Sequence, residues 1–258
     1  MSSILYERSG QIGIILLNRP EKFNSFNREM ALAFQQALDN AAKDDEVRAV
    51  FISGEGKAFC AGQDLAEAIN DSGPGIQRIV AEHYNPIILR LRNMEKPIVC
   101  AVNGVAAGAG ANIALACDVV IAARSSSFIQ SFSKIGLIPD SGGSFILPRL
   151  IGWQRASALM MLGEKVPAEQ ALNMGMIYKV CDDEALKQEA MAIVHTLSQM
   201  PTRGLGLTKK LLNGSFDQDL EGQLKQEEII QTQAGQTADY KEGVKAFLEK
   251  RKPVFTGR

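Results

Sequence analysis

The sequence predicts an α/β protein: a largely parallel sheet with interleaved helices, followed by a helical C-terminal region. Three observations carry this. Short apolar, β-branched runs recur along the first half of the chain. The stretches between them place apolar residues at helical spacing. Beyond residue 180 the strand pattern gives way to successive helical patterns. Strands that alternate with helices pair in parallel, because the crossover needs a helix's length.

Taken in order, residues 13–17 (Gly-Ile-Ile-Leu-Leu) read as a buried strand ending at Asn18-Arg19-Pro20. Ser25 is the expected cap of a helix over 26–43, whose inner face is Met30, Phe34, Ala37, Leu38 and Ala41. Residues 49–53 form a strand stopped by Gly54. A helix over 77–94 carries Ile79, Ile87, Leu91 and Met94 inward and is kinked or split by Pro86. Strands at 97–102 and 118–122 flank a small-residue helix over 107–116. Residues 71–75 read as a mobile Gly/Pro loop. Residues 176–180 are followed by helices over 184–199, 205–214, 217–233 and 237–250. The change of character near Met200-Pro201-Thr202 divides the chain into a core, 1–198, and a helical appendage, 199–258.

Composition narrows the function classes. A chain of 258 residues with 46% hydrophobic content and a formal charge of -1 has no basic field for nucleic acid. No apolar run approaches the ~20 residues that span a bilayer, and the N-terminus lacks a signal peptide's apolar segment. The four cysteines, Cys60, Cys100, Cys117 and Cys181, are scattered without a CxxC pair, as expected of a reduced cytoplasmic protein. Two histidines, His83 and His195, have no partner at metal-ligand spacing, so neither a zinc site nor a Ser-His-Asp triad is expected.

The candidate chemistry lies on three loops. Asp140 is the one acid in Gly136-Leu137-Ile138-Pro139-Asp140-Ser141-Gly142-Gly143. A buried loop carboxylate can be tuned to carry a proton. Equally, Asp before Ser-Gly-Gly suits a helix N-cap. The stretch 104–112 has only small side chains between a strand and a helix, which allows backbone N–H groups to approach a ligand or an oxyanion. Close helix–sheet packing explains the same composition. A third loop, 59–65, also follows a strand and has small residues at its tip.

Four strings in order, Asn18-Arg19-Pro20-Glu21-Lys22-Phe23-Asn24-Ser25-Phe26, Lys57-Ala58-Phe59-Cys60-Ala61-Gly62-Gln63-Asp64-Leu65, Ala101-Val102-Asn103-Gly104 and Gly136-Leu137-Ile138-Pro139 with Gly142-Gly143, resemble the crotonase (enoyl-CoA hydratase/isomerase) superfamily. The resemblance runs from about residue 4 to the end. It implies a spiral core of β-β-α units, a C-terminal helical trimerisation region, and a homotrimer or dimer of trimers. It also implies an acyl-CoA substrate whose thioester carbonyl accepts two backbone N–H bonds, at Gln63 and Ala109. Coenzyme A is then part of the substrate, and no separate cofactor is implied. By the same resemblance Lys22, Ala61, Asp64 and Leu65 contact CoA, with Phe247 and Lys250 reaching it from a neighbouring subunit. Solvated basic residues account equally for Lys22 and Lys250.

The departures from that pattern point to the reaction. The two glutamates of the hydratases fall on Asn112 and Phe132 here, and neither can transfer a proton. An acid at Asp140 resembles two subgroups: the ring-epoxide isomerases of phenylacetate degradation and the chlorobenzoyl-CoA dehalogenases. The strings around 105–111 and 132–140 favour the isomerase. The expected activity is conversion of 2-(1,2-epoxy-1,2-dihydrophenyl)acetyl-CoA to oxepin-CoA, with 3-enoyl to 2-enoyl shifts. The alternatives are Asp140 as a nucleophile in a dehalogenase or thioesterase, a hydratase, or a non-catalytic CoA- or RNA-binding scaffold. His83 and Tyr84 are expected to pack or to reach solvent rather than to line the pocket.

Overall fold

The computed structural model describes residues 2–70 and 72–258. Six strands form one sheet in the order β1 (Ile4–Ser9), β2 (Ile12–Leu17), β3 (Ala49–Gly54), β5 (Ile98–Val102), β7 (Val119–Ala123) and β10 (Lys179–Cys181). The β1–β2 hairpin is antiparallel and every later pairing is parallel. Four short strands, β4 (Ala58–Cys60), β6 (Val105–Ala107), β8 (Ser127–Ile129) and β9 (Lys165–Pro167), form a second sheet in that order.

The two sheets arise from one repeated unit. Each long strand of the large sheet, β3, β5 and β7, is followed within a few residues by a short strand of the small sheet, β4, β6 and β8, and then by helix. Three such β-β-α turns make the chain a spiral with a strand in each wall. Periodicity anticipated the parallel sheet but not the second wall; the spiral of β-β-α units came from the family resemblance. Three-residue strands are too short to show a periodicity of their own.

The central strands read as unbroken apolar runs because both faces are covered. Val50 and Ile52 point to the main core with the helix Arg28–Lys43, whereas Ala49 and Phe51 point to the opposite face, where Leu186, Ala190 and Val194 of the helix Leu186–Ser198 cover them. This is the period of two expected of a pleated strand.

Two helix boundaries differ from expectation for identifiable reasons. The first helix begins at Arg28, not 26, and its cap is Asn27, whose side chain accepts from the Met30 N–H at 2.9 Å. Ser25 is two residues too early, because Phe26 is held in an isolated bridge to Gln63. The expected helix over 77–94 is split into Gly75–Arg78, a π-helical turn Ile79–Tyr84 and the helix Asn85–Asn93. Pro86 removes the N–H that would bond the Glu82 carbonyl, and Gln35 Nε2 donates to that carbonyl instead, at 2.8 Å. Of the loop expected at 71–75, Asp71 lies outside the described residues, and Gly75 opens the turn Gly75–Arg78.

The C-terminal helices are Thr202–Gly214, Leu220–Gly235 and Ala238–Leu248. Buried Arg48 ties the tail to the core: its guanidinium donates to Thr202 Oγ1 at 3.0 Å, the Phe255 carbonyl at 2.8 Å and the Met200 carbonyl. Asp239, also buried, accepts from the Thr256 and Gly257 N–H groups at 2.6 and 2.8 Å. Arg48→Met leaves three acceptors without their cation and is expected to cost about 3 kcal/mol. Urea denaturation measures this, together with faster proteolysis of the tail.

Candidate active site

β4 and β6 pair in parallel, with Ala58 opposite Val105 and Cys60 opposite Ala106. The loops that leave their C-terminal ends therefore emerge side by side, and the loop after β8 emerges next to them. A crevice beyond the carboxyl ends of parallel strands is the usual ligand site in such sheets. Here it is a cavity of about 240 Å³, lined among others by Ala61, Gln63, Leu65, Tyr84, Ala109, Phe132 and Asp140.

The first loop is held by Phe26, whose N–H donates to the Gly62 carbonyl at 2.7 Å and whose carbonyl accepts from the Asp64 N–H at 2.8 Å. In a parallel bridge of this kind the residue between the two partners points its own N–H the other way. That residue is Gln63. The second loop turns at Gly108, and Ala109 is the first residue of the helix Ala109–Leu115, where N–H groups have no intrahelical partner. Among the described residues, neither the Gln63 nor the Ala109 N–H meets an acceptor. The loops are in contact: a methyl group on Gly62 would lie 2.9 Å from the Ala107 carbonyl oxygen and 3.6 Å from the Ala109 nitrogen. Two free amide donors thus sit at one wall of the cavity.

Asp140, half-buried, lines the same cavity. Burial pushes its carboxyl pKa up, and the Ser141 hydroxyl, which donates to Oδ1 at 2.8 Å, only partly opposes this. The N-cap reading of Asp140 is not realised: the helix Gly143–Ile151 starts after Gly142 without a side-chain cap bond. The backbone carbonyl of Asp140 accepts from the Gly143 N–H and from Asn112 Nδ2, both at 2.9 Å. Asn112 is itself fixed, its Oδ1 accepting from Gln130 Nε2 at 2.8 Å. The position of one hydratase glutamate therefore holds the loop that carries the acid. The other, Phe132, is buried and lines the cavity.

Tyr84, which the sequence reading expected to pack or to reach solvent, lines the cavity. It is fully buried and its hydroxyl donates to Gln63 Oε1 at 2.7 Å. His83 and Tyr84 are both buried in the π-helical turn Ile79–Tyr84. The available signal for Tyr84 was its spacing, three and seven residues before the inward Ile87 and Leu91. His83, as expected, packs: it is buried, with Nε2 3.3 Å from the Arg28 guanidinium, away from the cavity lining.

The expected CoA contacts are not gathered in one place. Ala61 and Leu65 lie at the cavity. Asp64 pairs with Arg19 at 3.1 Å and caps the helix Leu65–Ala68. Lys22 is exposed on the turn Pro20–Lys22, and Phe247 and Lys250 are exposed on the C-terminal region, outside the cavity lining. Trp153 is 74% exposed and does not line the cavity. Among the described residues no cluster of three or more His, Cys, Asp or Glu side chains is arranged to hold a metal ion. Two amide donors and a carboxylate whose pKa burial raises, lining one cavity, can polarise a carbonyl and move a proton beside it.

The chain belongs to the enoyl-CoA hydratase/isomerase family, the crotonase class of acyl-CoA enzymes, whose sequence model matches residues 7–258. Within that class it is 47% identical to the 1,2-epoxyphenylacetyl-CoA isomerase of Escherichia coli strain K12, over 100% of each chain. It is 38% identical to the trans-2-decenoyl-[acyl-carrier-protein] isomerase of Streptococcus mutans, over 99% of this chain and 98% of that one. A solved structure of an enoyl-CoA hydratase from Polaromonas sp. JS666 superposes with a TM-score of 0.90 at 35% identity, covering 98% of this chain and 99% of that one.

Gly143 allows the Asn112 brace: a methyl group there would lie 2.3 Å from Asn112 Nδ2. Gly143→Ala is expected to cost about 1–3 kcal/mol by overpacking and to lower kcat by displacing the Asp140 loop. Thermal unfolding and steady-state kinetics check the two effects.

Proposed function

We propose that this chain is an acyl-CoA isomerase in which Asp140 moves a proton within the bound thioester. The observation that carries this is that, among the described residues, Asp140 is the one carboxylate lining a cavity that Gln63 and Ala109, with their free N–H groups, also line. The thioester carbonyl accepts both N–H bonds. Negative charge that develops on its oxygen is stabilised without solvent reorganisation. Asp140 takes a proton from C2 and returns it further along the conjugated system, so one carboxylate serves both steps. Its raised pKa brings proton affinity closer to neutral pH, which suits a group that must accept and then donate.

The ring epoxide of 2-(1,2-epoxy-1,2-dihydrophenyl)acetyl-CoA is the substrate we favour, opening to the seven-membered oxepin, with 3-enoyl to 2-enoyl shifts as a second activity. The similarity to the Escherichia coli isomerase supports this choice, and so does Asn112 and Phe132 standing where hydration needs two acids. The reaction requires no metal or separate cofactor. The exposure of Trp153, the single tryptophan, weakens the dehalogenase alternative, which calls for a tryptophan beside the acyl group. Trimer assembly, with Phe247 and Lys250 reaching a neighbour's CoA, agrees with the exposed apolar groove formed by Tyr240, Val244, Phe247 and Leu248.

Asp140→Asn is expected to lower kcat by about 10²–10⁴ on an acyl-CoA panel that includes the ring epoxide and 3-enoyl chains; undiminished turnover sinks the assignment. The same variant reports the cost of burying the acid. A raised folded-state pKa means the native chain holds more protons than the unfolded one, so this residue's contribution to stability falls as pH rises through that window. Asp140→Asn should therefore have the higher Tm at pH 7, and the advantage should vanish below the ordinary carboxylate pKa of ~4.

A further inference from the structure

Gln63 would serve the reaction through its backbone, yet its side chain is clamped at both ends. Gln63 Nε2 donates to Glu67 Oε2 at 2.9 Å, and Gln63 Oε1 accepts from the Tyr84 hydroxyl at 2.7 Å. The chemistry of the partners fixes the amide's orientation. An ionised carboxylate only accepts, so the NH₂ end must face Glu67 and the oxygen must face Tyr84. Tyr84 is then the donor, and burial keeps its proton in place by pushing its pKa well up. Reversing the amide would set two acceptors against each other and leave the buried hydroxyl without its partner.

Each end of the clamp is anchored in a different element. The second oxygen of Glu67, Oε1, accepts from the Arg28 N–H at 2.8 Å. Arg28 is the first residue of the helix Arg28–Lys43, so Glu67 joins that helix's N-terminus to the Gln63 side chain. Tyr84 sits in the π-helical turn Ile79–Tyr84, fully buried, with its ring edge-on to Phe26 at 6.2 Å between centroids. Phe26 is the residue whose backbone brackets Gln63. The peptide that carries the free N–H is thus held by a backbone bridge on one side and by a side chain that cannot rotate on the other.

We propose that Tyr84 and Glu67 are positioning residues: by clamping the Gln63 amide they aim the Gln63 N–H at the thioester carbonyl oxygen. The inference rests on the oxyanion role proposed above for Gln63. Electrostatic stabilisation by a fixed donor depends on its direction, and a donor that must reorient during the reaction loses most of its value. Neither Tyr84 nor Glu67 needs to touch the reacting atoms. Loosening the clamp therefore acts on kcat more than on KM, because the carbonyl binds in the ground state with less charge than it carries in the enolate.

The test uses the full-length enzyme with Tyr84→Phe, Glu67→Gln and Gln63→Met. The first removes only a hydroxyl. The last replaces the clamped amide by an apolar chain of similar length and keeps the backbone N–H. In each, kcat is expected to fall about 5- to 50-fold with KM changed less than about 3-fold. The double variant Tyr84→Phe/Gln63→Met should be no slower than Gln63→Met alone, since both act through one side chain. Isotope-edited infrared spectroscopy of bound phenylacetyl-CoA labelled at the thioester carbonyl supplies a readout that fold stability does not move. The wild type and Asp140→Asn should lower the carbonyl stretch relative to free ligand, and the three single variants should lower it less. A full wild-type shift in Tyr84→Phe and in Gln63→Met, or additive losses of kcat in the double variant, overturns the clamp and leaves the oxyanion role standing. No shift in the wild type overturns both.

Discussion

The parallel pairing of β4 with β6 is the constraint on which the rest of the site depends. It sets two β-to-helix loops side by side at the end of the small sheet. One loop is turned outward by its bridge to Phe26, and the other ends on a helix whose first N–H has no partner. Neither free donor requires a particular side chain. Both follow from where the spiral changes sheets, which is why Ala109 can serve as well as glycine would. The large sheet, covered on both faces, keeps these short strands in place although three residues would hold little structure alone.

Against this backbone frame, Asp140 is the proposed reactive group, and its surroundings balance opposing effects. Burial raises its pKa, the Ser141 hydroxyl lowers it, and burial wins. The loop is fixed without using the carboxylate: Asn112, braced by Gln130, holds the Asp140 carbonyl. A carboxylate spent on capping a helix would be a poor proton carrier. This one is left with a single hydroxyl donor and an open face on the cavity. The cost is borne as stability at neutral pH, the usual exchange at a catalytic acid or base.

Much of this was legible in the sequence, and the gaps have physical causes. Apolar runs such as 98–102 announce buried parallel strands, and an acid between Pro139 and Gly142 announces a loop. The family strings carried the spiral and the donor positions, which periodicity alone could not reach. The second sheet was hidden because its strands are three residues long. Tyr84 was passed over although it stands three residues before Ile87, on the face that carries Ile87, Leu91 and Met94 inward, because burial alone does not say whether a side chain meets the core or a cavity. Phe247 and Lys250 lie apart from this chain's cavity, and only the family resemblance assigned them to a neighbour's.

The central claim is that one dehydrated carboxylate removes the C2 proton of a thioester held by two amide donors. Exchange of that proton tests it without any later step. A saturated acyl-CoA such as phenylacetyl-CoA, incubated in D₂O with the enzyme, should take up deuterium at C2, followed by mass spectrometry or proton NMR. The account predicts exchange catalysed by the wild type and reduced at least about 100-fold in Asp140→Asn, with the ligand still bound. Exchange at the wild-type rate in that variant would contradict it.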